Sequence, residues 1–170
     1  MNLKKNLVFL GMMGSGKSSI GYLVSKKLNL KFVDIDILIE DDSGLKISNI
    51  FKEKGEIYFR NLEEKITLKA LKSVNQVISL GGGSFINNRI RKEVLANHIS
   101  LWLDCDSSIL LKRIKSSSKR PLAFKATDQE IKKLIIKRSK IYSKAKIKIN
   151  CNKLSKTEIV KKIIKIYETN

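Results

Sequence analysis

The order of apolar and polar residues along the chain predicts alternating strands and helices. Short apolar runs are typical of buried parallel strands, and here they occupy residues 7–10, 32–35, 77–80, 99–103 and 147–149. Helical periodicity fills the intervals, at 17–28, 46–53, 56–73, 87–97, 107–114, 128–143 and 155–168. Strands that alternate with helices favour a parallel sheet with helices on both of its faces. The expected fold class is therefore a three-layer α/β domain.

The whole chain is expected to form one domain. Its 170 residues can build a single sizeable core, and no linker or internal repeat divides them. Hydrophobic residues make up 42% of the chain, as in soluble globular proteins, and no apolar run is long enough to span a membrane. A cleaved signal peptide would remove the first strand. We therefore expect a cytoplasmic protein that has no membrane partner.

Residues 11–18 read Gly-Met-Met-Gly-Ser-Gly-Lys-Ser and follow the first predicted strand. A glycine, four residues and then Gly-Lys-Ser, between a strand and a helix, is typical of the phosphate-binding loop of nucleoside triphosphatases and kinases. The glycines allow successive N–H groups to surround a phosphate at a helix N-terminus. Lys17 would reach the outer phosphates, and the Ser18 hydroxyl would ligate Mg²⁺.

Two acids, Asp34 and Asp36, stand at the end of the second predicted strand. Open α/β sheets bind ligands at the carboxyl ends of their strands, and alternate strand residues share a face. One carboxylate could then serve the hydrated metal ion and the other a substrate hydroxyl, although both could instead cap the next helix. At the end of the third predicted strand, where a P-loop protein usually carries a metal-binding acid, this chain has Ser79. Binding of the metal ion is therefore expected to depend on Asp34 and Ser18 instead.

Three glycines, Gly81, Gly82 and Gly83, follow the third predicted strand. They would let a ligand approach the backbone and meet its N–H groups, or they form a plain turn. Arg60 and Glu63 lie one helical turn apart and can pair. Such a pair would hold the guanidinium in place, but an isolated pair of this kind is usually a surface ion pair of little energetic value.

The polar segment 115–121 departs from the alternating pattern. It reads Lys-Ser-Ser-Ser-Lys-Arg-Pro and contains the only proline of the chain. This composition suits an ordinary surface loop and a mobile lid over a nucleotide equally well.

The net charge of +19 comes from 35 basic and 16 acidic residues. It fits three interpretations, which are nucleic-acid binding, recognition of an anionic substrate with ATP, and lysines on solvated helix faces. The lysines are dispersed and few aromatic residues lie among them, which favours solvated faces and argues against a nucleic-acid partner. Cys105 and Cys151 lack metal-ligand spacing, and His98 is the only histidine, so no zinc site is expected.

Taken together, these motifs resemble the shikimate kinase family, which comprises small P-loop enzymes that phosphorylate shikimate with ATP on the way to aromatic amino acids. The resemblance extends over nearly the whole chain. It rests on residues 11–18, Asp34 and Asp36, Phe59-Arg60 with Glu63, residues 81–83, Arg120-Pro121-Leu122, and Arg138 with Tyr142. It implies a nucleoside monophosphate kinase-like fold with a five-stranded parallel sheet, a mobile lid at roughly 112–125 and a substrate-binding segment at roughly 34–63.

The resemblance also implies how the nucleotide is bound. The residues expected at the ATP phosphates are Gly14, Ser15, Gly16, Lys17, Ser18 and Ser19. Ser18 and Asp34 would serve Mg²⁺, and Arg113 would lie against adenine, where a guanidinium can stack. Arg120, in the lid, would stabilise charge on the phosphoryl group that is transferred.

The acceptor would be bound on the other side of the phosphates. The groups expected there are Asp36 at the shikimate hydroxyls and, at the carboxylate, Arg60, Arg138 and the backbone of Gly81, Gly82 and Gly83. Guanidinium forks suit a planar carboxylate better than ammonium groups do. Lys17, Asp36 and Arg120 are the residues expected to be catalytic.

The expected activity is ATP:shikimate 3-phosphotransferase in a monomeric enzyme. The chain departs from the family pattern in two places, because it lacks the proline between Arg138 and Tyr142 and carries a serine run before Arg120. Another small-metabolite kinase, such as a gluconate kinase, is the nearest alternative, since a sugar acid also offers hydroxyls and a carboxylate. The alternative of a nucleic-acid-binding P-loop protein is less favoured, because it assigns no function to Asp34, Asp36 and the three glycines.

Overall fold

A five-stranded parallel sheet forms the centre of the protein. In the computed structural model, which describes residues 5–116 and 126–169, the strands are β1 (Leu7–Leu10), β2 (Lys31–Asp34), β3 (Gln76–Ser79), β4 (Ile99–Asp104) and β5 (Ile147–Asn150). Their order across the sheet is β2-β3-β1-β4-β5, and all neighbours are parallel. The carboxyl end of β1 therefore lies where the strand order changes direction, which is where open α/β sheets bind ligands.

Helices cover both faces of this sheet, as the alternating sequence pattern predicts. They are α1 (Lys17–Leu28), α2 (Ile35–Ser43), α3 (Ile47–Glu53), α4 (Gly55–Leu71), α5 (Asn88–Asn97), α6 (Ser107–Lys115), α7 (Asp128–Tyr142) and α8 (Lys156–Glu168). A short 3₁₀ turn, Ser84–Ile86, follows β3. The predicted three-layer α/β/α fold with five parallel strands is confirmed. Within residues 5–116 and 126–169, none of the helices has the length and apolar character needed to cross a membrane.

The two faces of the sheet bury separate apolar cores. Successive residues of β1 alternate between them, so that Val8 and Leu10 belong to one core and Leu7 and Phe9 to the other. This alternation is the period-two geometry of a strand that is buried on both sides. Helices α1 and α8 cover the Leu7 face, and α2, α4, α5, α6 and α7 contribute to the Val8 face. Both cores hold β1 rigidly, and with it the start of the phosphate loop.

The second predicted strand requires a correction. It ends at Asp34, and helix α2 begins at Ile35, so Asp36 lies in the first turn of a helix and not on the strand. The reason is local, because the Asp34 carboxylate accepts a hydrogen bond of 3.0 Å from the Asp36 backbone N–H and so caps the helix. Of the two roles considered for Asp34, capping of the next helix is therefore observed. Helix α2, which the sequence pattern did not predict, is what places Asp36.

Candidate active site

The phosphate loop connects β1 to α1 and keeps an open N-terminus on that helix. Gly11, Gly14 and Gly16 have φ angles of 141°, 83° and 94°, which favour glycine strongly. At Gly11 the packing forbids a side chain as well, since a Cβ would lie 2.8 Å from the Leu103 carbonyl oxygen. Gly16 precedes α1 and supplies no side-chain cap. The first N–H groups of α1 therefore remain available to an anion at this end of the helix.

Lys17 is buried beneath the loop. Its Nζ donates hydrogen bonds to the carbonyl oxygens of Gly11 at 2.9 Å and Met12 at 3.0 Å, and only 8% of the residue is exposed. The loop is closed further by a turn in which the Ser15 backbone N–H donates to the Met12 carbonyl oxygen at 3.1 Å. A positive charge is thus held at the concave side of a loop that is suited to phosphate.

Three oxygen-bearing side chains meet beside the start of α1. The Ser18 hydroxyl donates to Asp34 Oδ2 at 2.5 Å and lies 3.4 Å from the hydroxyl oxygen of Ser79. Asp34 and Ser79 face each other in register on β2 and β3. Oxygen ligands from a hydroxyl and a carboxylate are the kind that Mg²⁺ takes beside nucleotide phosphates. The two predicted metal-site residues, Ser18 and Asp34, are therefore neighbours.

Asp36 faces the same cavity from the first turn of α2. Its side chain is accessible from the cavity, yet the surrounding protein displaces much of its hydration and raises its pKa to about 6. The negative charge of Asp34 raises the pKa as well, with smaller contributions from Glu63 and Glu40, whereas Lys17 acts in the opposite direction. A carboxylate with such a pKa is ionised at neutral pH and is a better proton acceptor than an ordinary aspartate.

Arg60 is fixed by a buried carboxylate. Its Nη1 lies 2.7 Å from Glu63 Oε2, and the other oxygen of Glu63 accepts a 2.6 Å hydrogen bond from the Ser84 hydroxyl. Only 3% of Glu63 is exposed. The predicted pair is therefore present, but it is not the weak surface ion pair that its sequence spacing would suggest. Because Glu63 is held from both sides, the guanidinium of Arg60 has a defined position.

The three glycines, residues 81–83, pack closely against the side chains of Asp36, Glu63 and Arg60. A Cβ on Gly81 would lie 2.8 Å from both Asp36 Oδ1 and Glu63 Oε1, and a Cβ on Gly83 would lie 2.6 Å from Arg60 Nη1. Gly83 has an ordinary φ of −102°, so close approach, not backbone strain, is what requires glycine there. The segment brings the carboxylate of Asp36 and the guanidinium of Arg60 to one place.

Arg138 reaches the same glycine segment from helix α7. Its Nη1 would lie 3.6 Å from a Cβ on Gly82, and it lies 3.8 Å from the Met12 sulfur. The structure therefore places both predicted carboxylate-binding arginines around residues 81–83, although α4 and α7 are far apart in sequence.

Arg113 lies on the nucleotide side of the site. It is exposed on α6, and its Nη1 donates a 3.0 Å hydrogen bond to the Gly14 carbonyl oxygen. This contact ties α6 to the phosphate loop. The predicted catalytic Arg120 lies outside the described residues, as do the neighbouring residues 117–125 of the predicted lid.

A cavity of about 420 Å³ joins the phosphate loop to Asp36, Gly82 and Arg113. The residues that line it include Met13, Gly14, Gly16, Lys17, Ser18, Ser19, Asp36, Leu80, Gly82, Arg113 and Ser116. A larger depression of about 640 Å³ between α4 and α5 contains none of the predicted site residues. The phosphate loop and the Asp36 carboxylate thus open into one space, in which a nucleotide and an acceptor can meet.

A family model described as shikimate kinase matches residues 13–168 of the chain. The chain belongs to the shikimate kinase family. It is thus an ATP-dependent kinase, and the resemblance inferred from the sequence motifs is confirmed. The shikimate kinase of Persephonella marina is 42% identical over 160 residues, which cover 94% of this chain and 97% of the relative. The shikimate kinase of Aquifex aeolicus is 39% identical over 164 residues, which are 96% of each.

Solved structures of shikimate kinases have the same fold. The enzyme from Acinetobacter baumannii, in complex with shikimate, superposes with a TM-score of 0.91 at 26% identity, covering 98% of this chain and 94% of that one. The Aquifex aeolicus enzyme gives a TM-score of 0.86 at 38% identity, with 97% of each chain covered. A gluconokinase from Sinorhizobium meliloti shares the fold at 13% identity and a TM-score of 0.60. The comparisons therefore favour shikimate kinase over the gluconate kinase alternative.

Sequence reasoning missed two supporting residues of this shikimate kinase site. Ser84, which holds Glu63, directly follows the glycine segment, but a serine after three glycines carries no pattern that predicts a buried partner. The motif that contains Tyr142 does not predict its contact, in which its hydroxyl donates a hydrogen bond to the Gly82 carbonyl oxygen. In both cases the signal is a tertiary contact between distant segments, which spacing along one helix does not reveal.

Ala in place of Gly83 is expected to weaken acceptor binding selectively. The added Cβ would lie 2.6 Å from Arg60 Nη1, which is too close, so the guanidinium must move away. We expect the KM for shikimate to rise about tenfold or more, as for the loss of a charge-assisted hydrogen bond, with little change in the KM for ATP. Steady-state kinetics of Gly83→Ala, Arg60→Lys and the double variant check this. If the two changes add fully in free energy, the Cβ does not act through Arg60.

Proposed function

We propose that this kinase transfers the γ-phosphoryl group of ATP to the 3-hydroxyl of shikimate and releases ADP and shikimate 3-phosphate. The observation that carries the proposal is the arrangement around residues 81–83. One carboxylate, Asp36, and two guanidiniums, Arg60 and Arg138, surround this segment beside the phosphate loop. A hydroxy acid offers the complementary groups, since its carboxylate suits the arginines and its hydroxyls suit the aspartate.

The acceptor carboxylate is bound by Arg60 and Arg138, together with the backbone of the three glycines. Glu63 holds Arg60 in place through the 2.7 Å ion pair, so little conformational freedom is lost when the carboxylate binds. Two planar forks fix the orientation of a planar carboxylate as well as its position. The ring that bears this carboxylate is then held with one hydroxyl towards Asp36.

Phosphoryl transfer relies on positioning and on charge neutralisation. Asp36 orients the attacking hydroxyl and accepts its proton, a role that its raised pKa favours. Lys17 and the N–H groups of the loop stabilise charge on the phosphates, with Arg120 as the further cation from the lid. The residues assigned to the ATP phosphates are Gly14, Ser15, Gly16, Lys17, Ser18 and Ser19, and Arg113 is assigned to adenine.

The donor set beside α1 fits a magnesium ion. Ser18 and Asp34 would hold it through their oxygens, and the ion would neutralise charge on the ATP phosphates. The Ser18 hydroxyl, 2.5 Å from Asp34 Oδ2, is already directed towards its partner, so these two residues need little rearrangement to act together.

The chain works as one domain of residues 1–170, with a substrate-binding segment at roughly 34–63 and a lid at roughly 112–125. We place it in the cytoplasm as a monomer whose partners are ATP and shikimate, without a nucleic-acid or membrane partner. The continuous cores on the two faces of the sheet support a single domain.

The proposal predicts that ADP release from Mg·ATP depends on shikimate. Coupled ADP release should be low with ATP alone, high after addition of shikimate and unchanged after addition of gluconate, because the proposal assigns the pocket around the three glycines to shikimate. Identification of the product as the 3-phosphate by ³¹P and ¹H NMR completes the test. Equal rates with and without shikimate, in a protein that binds ATP, would disprove the acceptor assignment.

A further inference from the structure

We propose that Tyr142 is a positioning residue that sets the distance between the acceptor pocket and the phosphate loop. The inference rests on the proposed function, because it concerns the pocket that is assigned to shikimate. Tyr142 has no role in the chemistry derived above and does not line the cavity. It acts through the backbone of Gly82.

Tyr142 is the last residue of α7, and its side chain is almost completely buried, with 1% of the residue exposed. Its hydroxyl donates a hydrogen bond to the Gly82 carbonyl oxygen. The direction of this bond is fixed by its chemistry, because a carbonyl oxygen can only accept. The guanidinium of Arg138 lies beside the same glycine, with its Nη1 3.6 Å from where a Cβ on Gly82 would be, so Tyr142 fixes the backbone that Arg138 lies against.

Gly82 is the glycine that lies closest to the phosphate loop. A Cβ at this residue would lie 3.2 Å from the backbone nitrogen of Met13 and 3.6 Å from Arg138 Nη1. Its two neighbours contact the other acceptor groups, since Gly81 lies against Asp36 and Gly83 against Arg60. A bond that fixes the carbonyl of Gly82 therefore fixes the backbone between the phosphate loop and all three acceptor-binding side chains.

The rest of the Tyr142 side chain is suited to a fixed anchor. Its ring packs beside the ring of Trp102, with centroids 6.1 Å apart, and Trp102 belongs to β4 next to the phosphate-loop strand. Burial raises the pKa of the phenol to about 12, so that the hydroxyl stays a donor at every pH at which the enzyme works. An error of 1 Å in this position is large on the scale that phosphoryl transfer tolerates.

Tyr142→Phe tests the proposal, since it keeps the buried ring and removes only the hydroxyl. We expect the KM for shikimate to rise about tenfold, as for the loss of one well-formed hydrogen bond, and kcat to fall. The KM for ATP should change less than about twofold, because the loop N–H groups and Lys17 do not depend on Tyr142. The loss should be the same at pH 6.5 and pH 8.5, because the phenol does not titrate in this range.

Two controls separate positioning from a general structural role. Tyr167→Phe removes a hydroxyl from a tyrosine of α8 that is buried in the opposite core, and it should leave both KM values unchanged. Combination of Tyr142→Phe with Arg138→Lys should cost less than the sum of the single changes, because Tyr142 and Arg138 both act at Gly82.

The outcomes are distinct from those that test the proposed function. Wild-type ADP release with and without shikimate decides the acceptor, and the ratio of variant to wild type decides the role of Tyr142. An unchanged shikimate KM in Tyr142→Phe contradicts the proposal. The proposal is also contradicted if the KM values for shikimate and for ATP rise together and the melting temperature falls. That result would mean that Tyr142 stabilises the fold in general and does not position the acceptor pocket. A rise confined to shikimate supports it.

Discussion

Replacement of Asp36 by Asn is expected to lower kcat by about 10²- to 10⁴-fold, the usual contribution of a positioned general base. Asparagine has nearly the same shape, so the close packing of Asp36 Oδ1 against Gly81 is preserved. What is lost is the negative charge and the ability to accept the hydroxyl proton. ATP affinity should be nearly unchanged, because the phosphate loop connects β1 to α1 and Asp36 lies on α2. Coupled ADP release and calorimetric titration with ATP measure the two quantities.

Asp42 provides the matched control. It is an exposed aspartate on the same helix α2, and Asp42→Asn makes the same change of net charge without touching the cavity. We expect wild-type kinetics for this variant. Near-normal turnover in Asp36→Asn would show that Asp36 has no part in the chemistry and that its close contact with Gly81 is only structural.

The raised pKa of Asp36 predicts how activity depends on pH. The free enzyme should lose kcat/KM for shikimate as the pH falls through about 6, because protonation removes the base, and the residual activity of Asp36→Asn should lack this decrease. The same shift makes the folded protein bind a proton more tightly than the unfolded chain, where the pKa is near 3.8. The contribution of Asp36 to stability therefore falls as the pH rises from about 4 to about 6. Asp36→Asn should raise the melting temperature at pH 8 and have less effect at pH 4.

The sheet could be predicted from the sequence because each strand contains apolar residues that recur at the spacing of alternating strands and helices, and β1 is apolar throughout. Residues 7–10 and 100–103 are buried, and strands that are buried on both faces are those in which an apolar run is most informative. Helix α2 was missed for a physical reason. Asp34, Ile35 and Asp36 alternate as they would in a strand, and the pattern alone does not reveal that the first carboxylate caps a helix.

The residue types of the site could also be predicted, but their surroundings could not. The spacing of Arg60 and Glu63 suggested a pair, yet the burial of Glu63 depends on Ser84, which comes 21 residues later. Likewise, Arg138 and Gly82 are neighbours only because α7 packs beside the segment after β3. The order of the motifs predicts which residue types the site contains. The pKa values and the fixed positions of those side chains depend on tertiary contacts, which no local sequence pattern reveals.

Lys17→Ala is expected to lower kcat/KM by about 10²- to 10³-fold, as for the removal of one preorganised donor to a developing charge. The ammonium group is buried and already directed at the loop by its bonds to Gly11 and Met12. It therefore needs no reorganisation when the phosphoryl group moves. Lys27→Ala, on the exposed face of the same helix α1, is the matched control and should retain wild-type kinetics.

Substitutions of Lys17 and Asp36 should have different effects on the two reactions of ATP, which are transfer to shikimate and hydrolysis by water. Asp36 serves the hydroxyl of shikimate, so Asp36→Asn should reduce transfer to shikimate but leave slow hydrolysis of ATP by water largely intact. Lys17 serves the phosphates themselves, so Lys17→Ala should reduce both reactions to a similar extent. ADP release from each variant, measured with and without shikimate, gives the two ratios. Selective loss of the shikimate reaction in Lys17→Ala would show that its ammonium acts on the acceptor and not on the phosphates.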